Sequence, residues 1–416
     1  MSPVVGGSGT AQPGPGAAGA AGTRLRLARQ ARGYSQQQLA GMAGISRQAV
    51  SAVEAGHSDP SLRVALALAR ALGTTVEQMF GPVAPPPPVQ ARPVAALGPS
   101  GARVTLAPIG DAFVALPLSG ATATRAGFLP AGGVAGPELS AGGVAGPELS
   151  AGGVAGPAGP GGAAGPGAAA GPGRRPVWPI GPPRPTLVVA GCDPALPLLE
   201  TPLALLDPPI AFTWWPCGSQ EALSLAEAGL VHAAGAHLRG KSGEYNTGPA
   251  RDRLRQHGAE VVGFCSWREG LVLSPGVAGQ VTGLAEVARL GLRLVNREEG
   301  AEARHVLDRE LARLGLEPGQ LPGYATQATG HLQVAAAISA GLADAGVASE
   351  PAALAYGLAF VPLAAEHFDL VIPSEAAGSR EVAGLLKVLS SRWLLDQLAS
   401  LPGYDPGRCG EHVASW

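Results

Sequence analysis

The chain has 416 residues, with 62 glycines, 40 prolines, 14% charged residues, 4% aromatics and a formal net charge of −2. That length calls for more than one folded unit, and a Gly and Pro content of about a quarter signals low-complexity segments between them. A net charge this small argues against bulk attraction to nucleic acid or membrane and leaves only local patches to consider.

Residues 1–22, MSPVVGGSGTAQPGPGAAGAAG, have no basic start and no apolar core, so they are expected to be a disordered leader rather than a signal peptide. No run of ~18 apolar residues is free of Gly, Pro and charge, so no membrane contact is expected. Cys192, Cys217, Cys265 and Cys409 lack C-x-x-C spacing and fit reduced, mostly buried thiols. The expectation is therefore a cytoplasmic protein with no metal site and no cofactor.

Residues 23–81 are compact and helical. Ser35 and Ser46 stand where N-caps are wanted, before helices expected at 35–42 and 46–54, and Gly44 in the turn is free to take a positive φ. Helices at 23–33, 61–73 and 75–80 complete an all-α five-helix domain. From Thr23 to Phe80 seven arginines face three acids (Glu54, Asp59, Glu77), a local charge of +4 that leaves −6 for the remainder. Arg47, Gln48, Ser51 and Ala52 share one face of the 46–54 helix, because 47/51 and 48/52 are i, i+4 pairs. Arg and Gln are the side chains that read guanine and adenine edges in a major groove, and a basic helical module on an acidic chain is an electrostatic footprint for DNA.

The run LRLARQARGYSQQQLAGMAGISRQAVSAVEAGHSDPSLRVALALARAL resembles the Cro/C1-type helix-turn-helix (HTH) domain of phage repressors and xenobiotic-response-element (XRE) regulators. The resemblance implies a recognition helix over 46–54, with Ser46, Arg47, Gln48 and Ser51 at the DNA. It also implies a phosphate contact from Gln36 and a structural pair between Arg29 and Glu54. The partner implied is double-stranded operator DNA, bound by a homodimer.

Next comes a Pro-rich spacer with a short hairpin (82–126), built from PVAPPPPVQARP and from RVTLAPIGDAFVALPL turning at Gly110-Asp111. The repeats AGGVAGPELS at 131–140 and 141–150, with a truncated copy from 151, make 127–173 a low-complexity insert. Ten-residue units of this composition are expected to contribute no core. These Pro/Gly-rich segments are expected to be disordered joints.

From 174 to 416 strands and helices alternate: TLVVAG, IAFTWW and LVHAAGAHL are strands around the helix SQEALSLAEAG, followed by GAEVVGFCSWREGLVL, LRLVN, a helix from about Glu299 to Leu314, and FDLVIP. Such alternation builds a mostly parallel sheet whose ligands sit beyond strand C-termini, at exposed helix N-termini. Three such turns nominate Cys192 and Asp193, Gly218 and Ser219, and Asn296, Arg297 and Arg304. Amides, a hydroxyl and guanidinium groups together suit a small oxyanion or carboxylate. His232 and His237 flank a strand, where exposed polar residues are the commoner case, and Tyr245-Asn246 fits either a hinge or a ligand contact.

The segments VVAGCDPALPLLE, GSQEALSLAEAGLVHAAGAHL, YNTG, VNREEGAEARHVLD, ADAGVA and GLAFVPLAAEHFDLVIP resemble the two-lobed periplasmic-binding-protein-like (PBP-like) domains attached to HTH regulators, related to the molybdate/tungstate class. The fold implied is α/β and two-lobed. The function implied is a one-component transcriptional regulator whose effector is an oxyanion or molybdopterin-like molecule. The alternatives are an enzyme acting on a cofactor precursor and a ligand-free dimerisation scaffold.

Overall fold

The computed structural model describes residues 16–81, 86–123, 128–137, 173–240 and 244–416. The chain divides into two units, Met1–Pro85 and Pro86–Trp416.

Five helices make the first unit: α1 (Gly16–Ala31), α2 (Gln36–Ala43), α3 (Arg47–Glu54), α4 (Leu62–Ala71) and α5 (Val76–Phe80). Ser35, Ser46, Ser61 and Thr75 each accept a hydrogen bond from the third backbone N–H of the helix they precede, which satisfies a donor the helix cannot. Gly44 ends α2 at φ 66°, a left-handed conformation that a side chain would strain. The helices close over Leu25, Leu39, Val50, Val53, Leu68, Leu72 and Met79. Residues 16–22 of the leader expected over 1–22 belong to α1 instead, and residues 1–15 lie outside the described residues. At Gly22 a Cβ would lie 2.4 Å from the Val53 carbonyl oxygen, so this glycine allows α1 to meet the end of α3.

The second unit opens with a closed barrel of β1 (Val89–Pro93), β2 (Arg103–Ile109), β3 (Ala112–Pro117), β4 (Gly133–Ala135) and β5 (Arg175–Pro179), in the order β1-β3-β2-β4-β5. The hairpin turning at Gly110-Asp111 is its β2–β3 pair. Strand alternation sends Val104, Leu106 and Ala115 into the barrel, while Ala107, Val114 and Leu116 face the α/β sheet behind it. This corrects two expectations. The first repeat copy does contribute structure, because β4 closes the barrel between β2 and β5. Its glycines make this possible: a Cβ at Gly136 would lie 2.2 Å from the Trp178 ring. The barrel also takes its last strand, β5, from beyond the expected domain boundary at 174. Later repeat residues, from 138 to 172, lie outside the described residues.

The rest is one mixed sheet with helices on its faces. Its strands are β6 (Thr186–Gly191), β7 (Ala211–Pro216), β8 (Ala233–Ala236), β9 (Ala259–Leu273), β10 (Leu294–Arg297), β11 (Gln327–Ala328), β12 (Ala345–Ser349), β13 (Ala359–Pro373) and β14 (His412–Ser415). The order is β11-β10-β12-β9-β13-β8-β6-β7, with β14 also on β9. Each lobe has a parallel set: β7, β6 and β8 in the first, and β12, β10 and β11 in the second. The 15-residue strands β9 and β13 run antiparallel to each other through both lobes. The sheet is therefore less parallel than the alternation suggested, because two long strands couple the lobes where βαβ repetition would have kept one direction. Arg92 of β1 caps the C-terminal carbonyls of the first-lobe helix Ser219–Glu227, at Ala228 and Gly229, which anchors the barrel.

Candidate effector site and DNA-facing helix

On the first unit, Arg47, Gln48 and Ser51 are exposed on α3, and Ser46 caps it through its hydroxyl. Behind them Arg29 grips Glu54 with both arms, Nε to Oε1 at 2.6 Å and Nη2 to Oε2 at 3.1 Å, and gives Nη1 to the Tyr34 carbonyl. Gln36 also donates to Glu54, at 2.8 Å, so its amide nitrogen serves the ion pair. Burial pushes the Glu54 carboxyl up, but the hydrogen bonds from Arg29 and Gln36 outweigh it and hold the group below its ordinary value.

In the second unit the strand ends and the long strands converge on a buried polar cluster between the lobes. Asp193, directly after β6, is fully buried. It accepts from the Ala195 N–H and from the Tyr404 and Cys265 side chains, while burial pushes its carboxyl up to about 6. Ser219 accepts from the His237 backbone N–H. His237 follows β8 and places Nε2 3.1 Å from Cys192 Sγ. From the second lobe, Arg297 gives Nε and Nη2 to the two oxygens of Glu298, each at 2.8 Å, and Nη1 approaches His331 Nδ1 at 3.2 Å. Asn296 turns its side chain back onto the Tyr324 carbonyl and the Arg297 N–H.

The sequence-nominated residues thus divide. Cys192, Asp193, Ser219, Asn296 and Arg297 are all buried at the facing strand ends, and Gly218 sits opposite Glu298 across the cleft. Arg304 does not join them: it lies over the Tyr324 ring, 5.2 Å away, and bonds the Arg297 carbonyl. Arg297 is present but is not a free cation, because its neighbour Glu298 neutralises it, and the Ser219 oxygen is already engaged. His232 is structural. Its Nδ1 accepts from the Val188 N–H, and burial pushes it down to about 4, so it stays neutral. Asn246, at φ 55°, binds the Leu238 N–H, the His367 carbonyl and Asp369, tying the first lobe to β13.

Two residues absent from the sequence expectations dominate the cluster. Glu269 of β9 and Glu366 of β13 are buried at the lobe junction, and none of their four carboxylate oxygens has a hydrogen-bond partner. Beside them His237 Nδ1, His331 Nε2, Ser349 Oγ and Trp267 Nε1 are also unpartnered. Burial, reinforced by the nearby Glu366, pushes Glu269 up to about 7, against the opposing pull of His237. His331 is pushed down by burial, Arg297 and His237 and is therefore neutral. Its Nδ1 accepts from the Ser349 N–H at 3.1 Å, which places the proton on Nε2. Outside this interior, an open groove of about 480 Å³ between the lobes is lined by Gln220, Leu238, Arg239, Glu302, His305 and Arg309, among others.

No helix among the described residues is long and apolar enough to cross a membrane. Residues 25–79 match the helix-turn-helix family model and residues 202–390 match that of the PBP superfamily domain. The chain is 27% identical over 233 residues to the uncharacterised protein YvgK of Bacillus subtilis, covering 55% of this chain and 74% of the relative. It is 37% identical over 57 residues to an uncharacterised HTH-type transcriptional regulator of Methanocaldococcus jannaschii, covering 14% of this chain and 86% of that one. Among solved structures, a putative phosphate ABC transporter substrate-binding protein with bound phosphate from Clostridium perfringens is similar at 14% identity and a TM-score of 0.39, covering 51% of this chain and 96% of the other. The chain belongs to the XRE-type HTH transcriptional regulators and carries a PBP-like domain in its C-terminal half.

Proposed function

We propose that this regulator reads operator DNA with α3 and senses a small effector in the cleft between the two lobes of its PBP-like domain. One observation carries the sensing half: the unpartnered Glu269 and Glu366 carboxylates buried at the lobe junction. Buried polar groups are ordinarily satisfied, so a cluster of unmet acceptors and donors at a cleft floor marks a place built for an occupant. Four buried carboxylates (Asp193, Glu269, Glu298, Glu366) outnumber the two buried cations beside them, Arg297, already paired with Glu298, and His237, which burial would push down but its anionic neighbours hold above its ordinary value; this excess opposes a bare oxyanion such as molybdate. The effector this site favours carries positive charge or several donors, a requirement that a molybdopterin-like molecule with amino groups meets and molybdate does not. Ser219 is disfavoured as a nucleophile, because it meets the His237 backbone rather than its imidazole and so lacks a general base.

On the DNA side, Arg47, Gln48 and Ser51 would meet base edges, with Ser46 and Gln36 at the phosphates. A homodimer acting in the cytoplasm would place two α3 helices in successive major grooves about 34–36 Å apart. With an operator selected from a random duplex library, Arg47→Ala should lose about 1–3 kcal/mol of specific affinity and relax preference at one base pair. Fluorescence anisotropy measures both. Unchanged affinity and unchanged base preference would remove α3 as the reading element.

A further inference from the structure

We infer that His237, Glu269 and Glu366 form a binding site for one first-row divalent transition-metal ion at the lobe junction. This deepens the effector reading above and rests on it for its regulatory meaning, though not for its chemistry. One ligand atom from each residue can be chosen so that all three lie within 4.8 Å of one another, and all three residues are buried. The pair His237 Nδ1 and Glu366 Oε2 is 3.9 Å apart. Atoms bound to one ion at roughly 2.0–2.2 Å lie roughly 3–4.4 Å from each other, depending on the bond angle, so only a small closure is needed.

Hydrogen-bond geometry selects these three residues over the neighbouring set of Cys192, His237 and His331, whose ligand atoms also lie within 4.8 Å of one another. His331 Nδ1 is occupied by the Ser349 N–H and by Arg297, so its Nε2 carries the proton and has no lone pair to give. His237 is arranged the opposite way. Nε2 faces Cys192 Sγ, while Nδ1 makes no hydrogen bond and lies 3.9 Å from Glu366 Oε2, so an ion taking this nitrogen displaces its proton and the thiol acts as the outer partner that orients the ring. One imidazole nitrogen with two carboxylates suits Zn²⁺, Mn²⁺, Fe²⁺, Co²⁺ or Ni²⁺ better than Mg²⁺ or Ca²⁺, which prefer all-oxygen shells. An ion there would also meet one oxygen of each buried carboxylate, neither of which accepts a hydrogen bond among the described residues. His331 Nε2, Trp267 Nε1 and Ser349 Oγ remain as donors for a water or anion completing its coordination.

The test titrates metal-stripped full-length protein with Co²⁺, read by visible absorption and by calorimetry. One equivalent should bind, giving d–d bands without an intense near-ultraviolet thiolate band. Glu269→Gln and Glu366→Gln should each weaken binding by more than the roughly 10–100-fold typical of outer-shell changes. Each should also raise the metal-free melting temperature followed by tryptophan fluorescence, because one of two facing buried acids is gone. Folded Gln variants that still bind Co²⁺ like the parent overturn the site, as does a parent that binds none. A thiolate band that vanishes in Cys192→Ser would overturn the ligand set. Co²⁺ bound as described, with operator affinity unaltered, would leave the metal site standing and defeat the effector reading.

Discussion

Arg29→Ala is expected to cost the N-terminal unit about 3–5 kcal/mol, the loss typical when one partner of a buried pair is removed. Glu54 is almost wholly buried on α3, and Arg29 supplies two of the three hydrogen bonds it receives from side chains. Without the guanidinium a buried carboxylate keeps only Gln36, and the Tyr34 carbonyl at the end of the α1–α2 turn loses its donor as well. Domains of this size have only a few kcal/mol to spare, so the unit should be largely unfolded near 40 °C. The measurement is separable. All six tryptophans lie beyond residue 177, so their fluorescence is blind to this unit while far-ultraviolet circular dichroism sees its helices. Loss of a helical transition with the fluorescence transition unmoved is the predicted result. Acid acts in the same direction. Because the Glu54 carboxyl is held low in the fold, its contribution is present above the unfolded-state value and is lost as pH falls through the folded one.

Arg297→Ala should destabilise the C-terminal unit by a similar amount, about 3–5 kcal/mol, because Glu298 would be left buried without its counter-ion. Burial raises the Glu298 carboxyl, but the Arg297 hydrogen bonds outweigh it and hold the group low, so this contribution also fades in acid. Arg304→Ala removes only a long hydrogen bond and a contact over Tyr324, and should cost less than about 1 kcal/mol. Replacing both Arg297 and Glu298 with methionine should recover most of the loss, since a buried pair exchanged for apolar side chains is near neutral. Tryptophan-detected urea unfolding compares the three variants. An Arg297→Ala loss no larger than that of Arg304→Ala would show that the ion pair does not hold the second lobe.

These two residues mark how far the sequence was legible. The helical unit was readable because its caps are local. Ser35, Ser46 and Gly44 announce helix ends within four residues, whereas the Arg29–Glu54 pair, which joins α1 to α3, was legible only through the resemblance to the Cro/C1-type domain. The cleft was readable only as a place. Strand-end turns carrying Asp193, Ser219 and Arg297 do converge, but whether Arg297 is free depends on Glu298 folding onto it, which spacing does not show. Glu269 and Glu366 were missed because they sit mid-strand, in CSWREGLVL and LAAEHFDL, and become neighbours only when β9 and β13 pair. Their one sequence signal was an acid inside a strand-forming run, and Arg268, His367 and Asp369 beside them blur even that. The first repeat copy was misjudged because a strand need not be hydrophobic throughout. Where β4 packs against Trp178, glycine permits a close approach that a larger residue would block.

The central claim is that the state of the cleft governs DNA binding, and it can be tested without knowing the effector. Gln220 lies in the first turn of the helix Ser219–Glu227, and Gly300 lies across the cleft just before the helix Glu302–Leu314. A Cβ at Gly300 would stand 3.7 Å from Gln220 Cβ, within the roughly 3.5–4.5 Å that a disulfide needs. The φ of 81° at Gly300 adds about 1–2 kcal/mol of strain to a cysteine there, which a closed bridge should tolerate. Operator affinity of the full-length Gln220→Cys/Gly300→Cys variant would be measured by anisotropy, reduced and oxidised, with the bridge verified by mass. The account predicts at least about a tenfold difference between the locked and reduced forms, within the usual range of coupling between sites. Equal affinity in the two states, with the bridge fully formed, would contradict it.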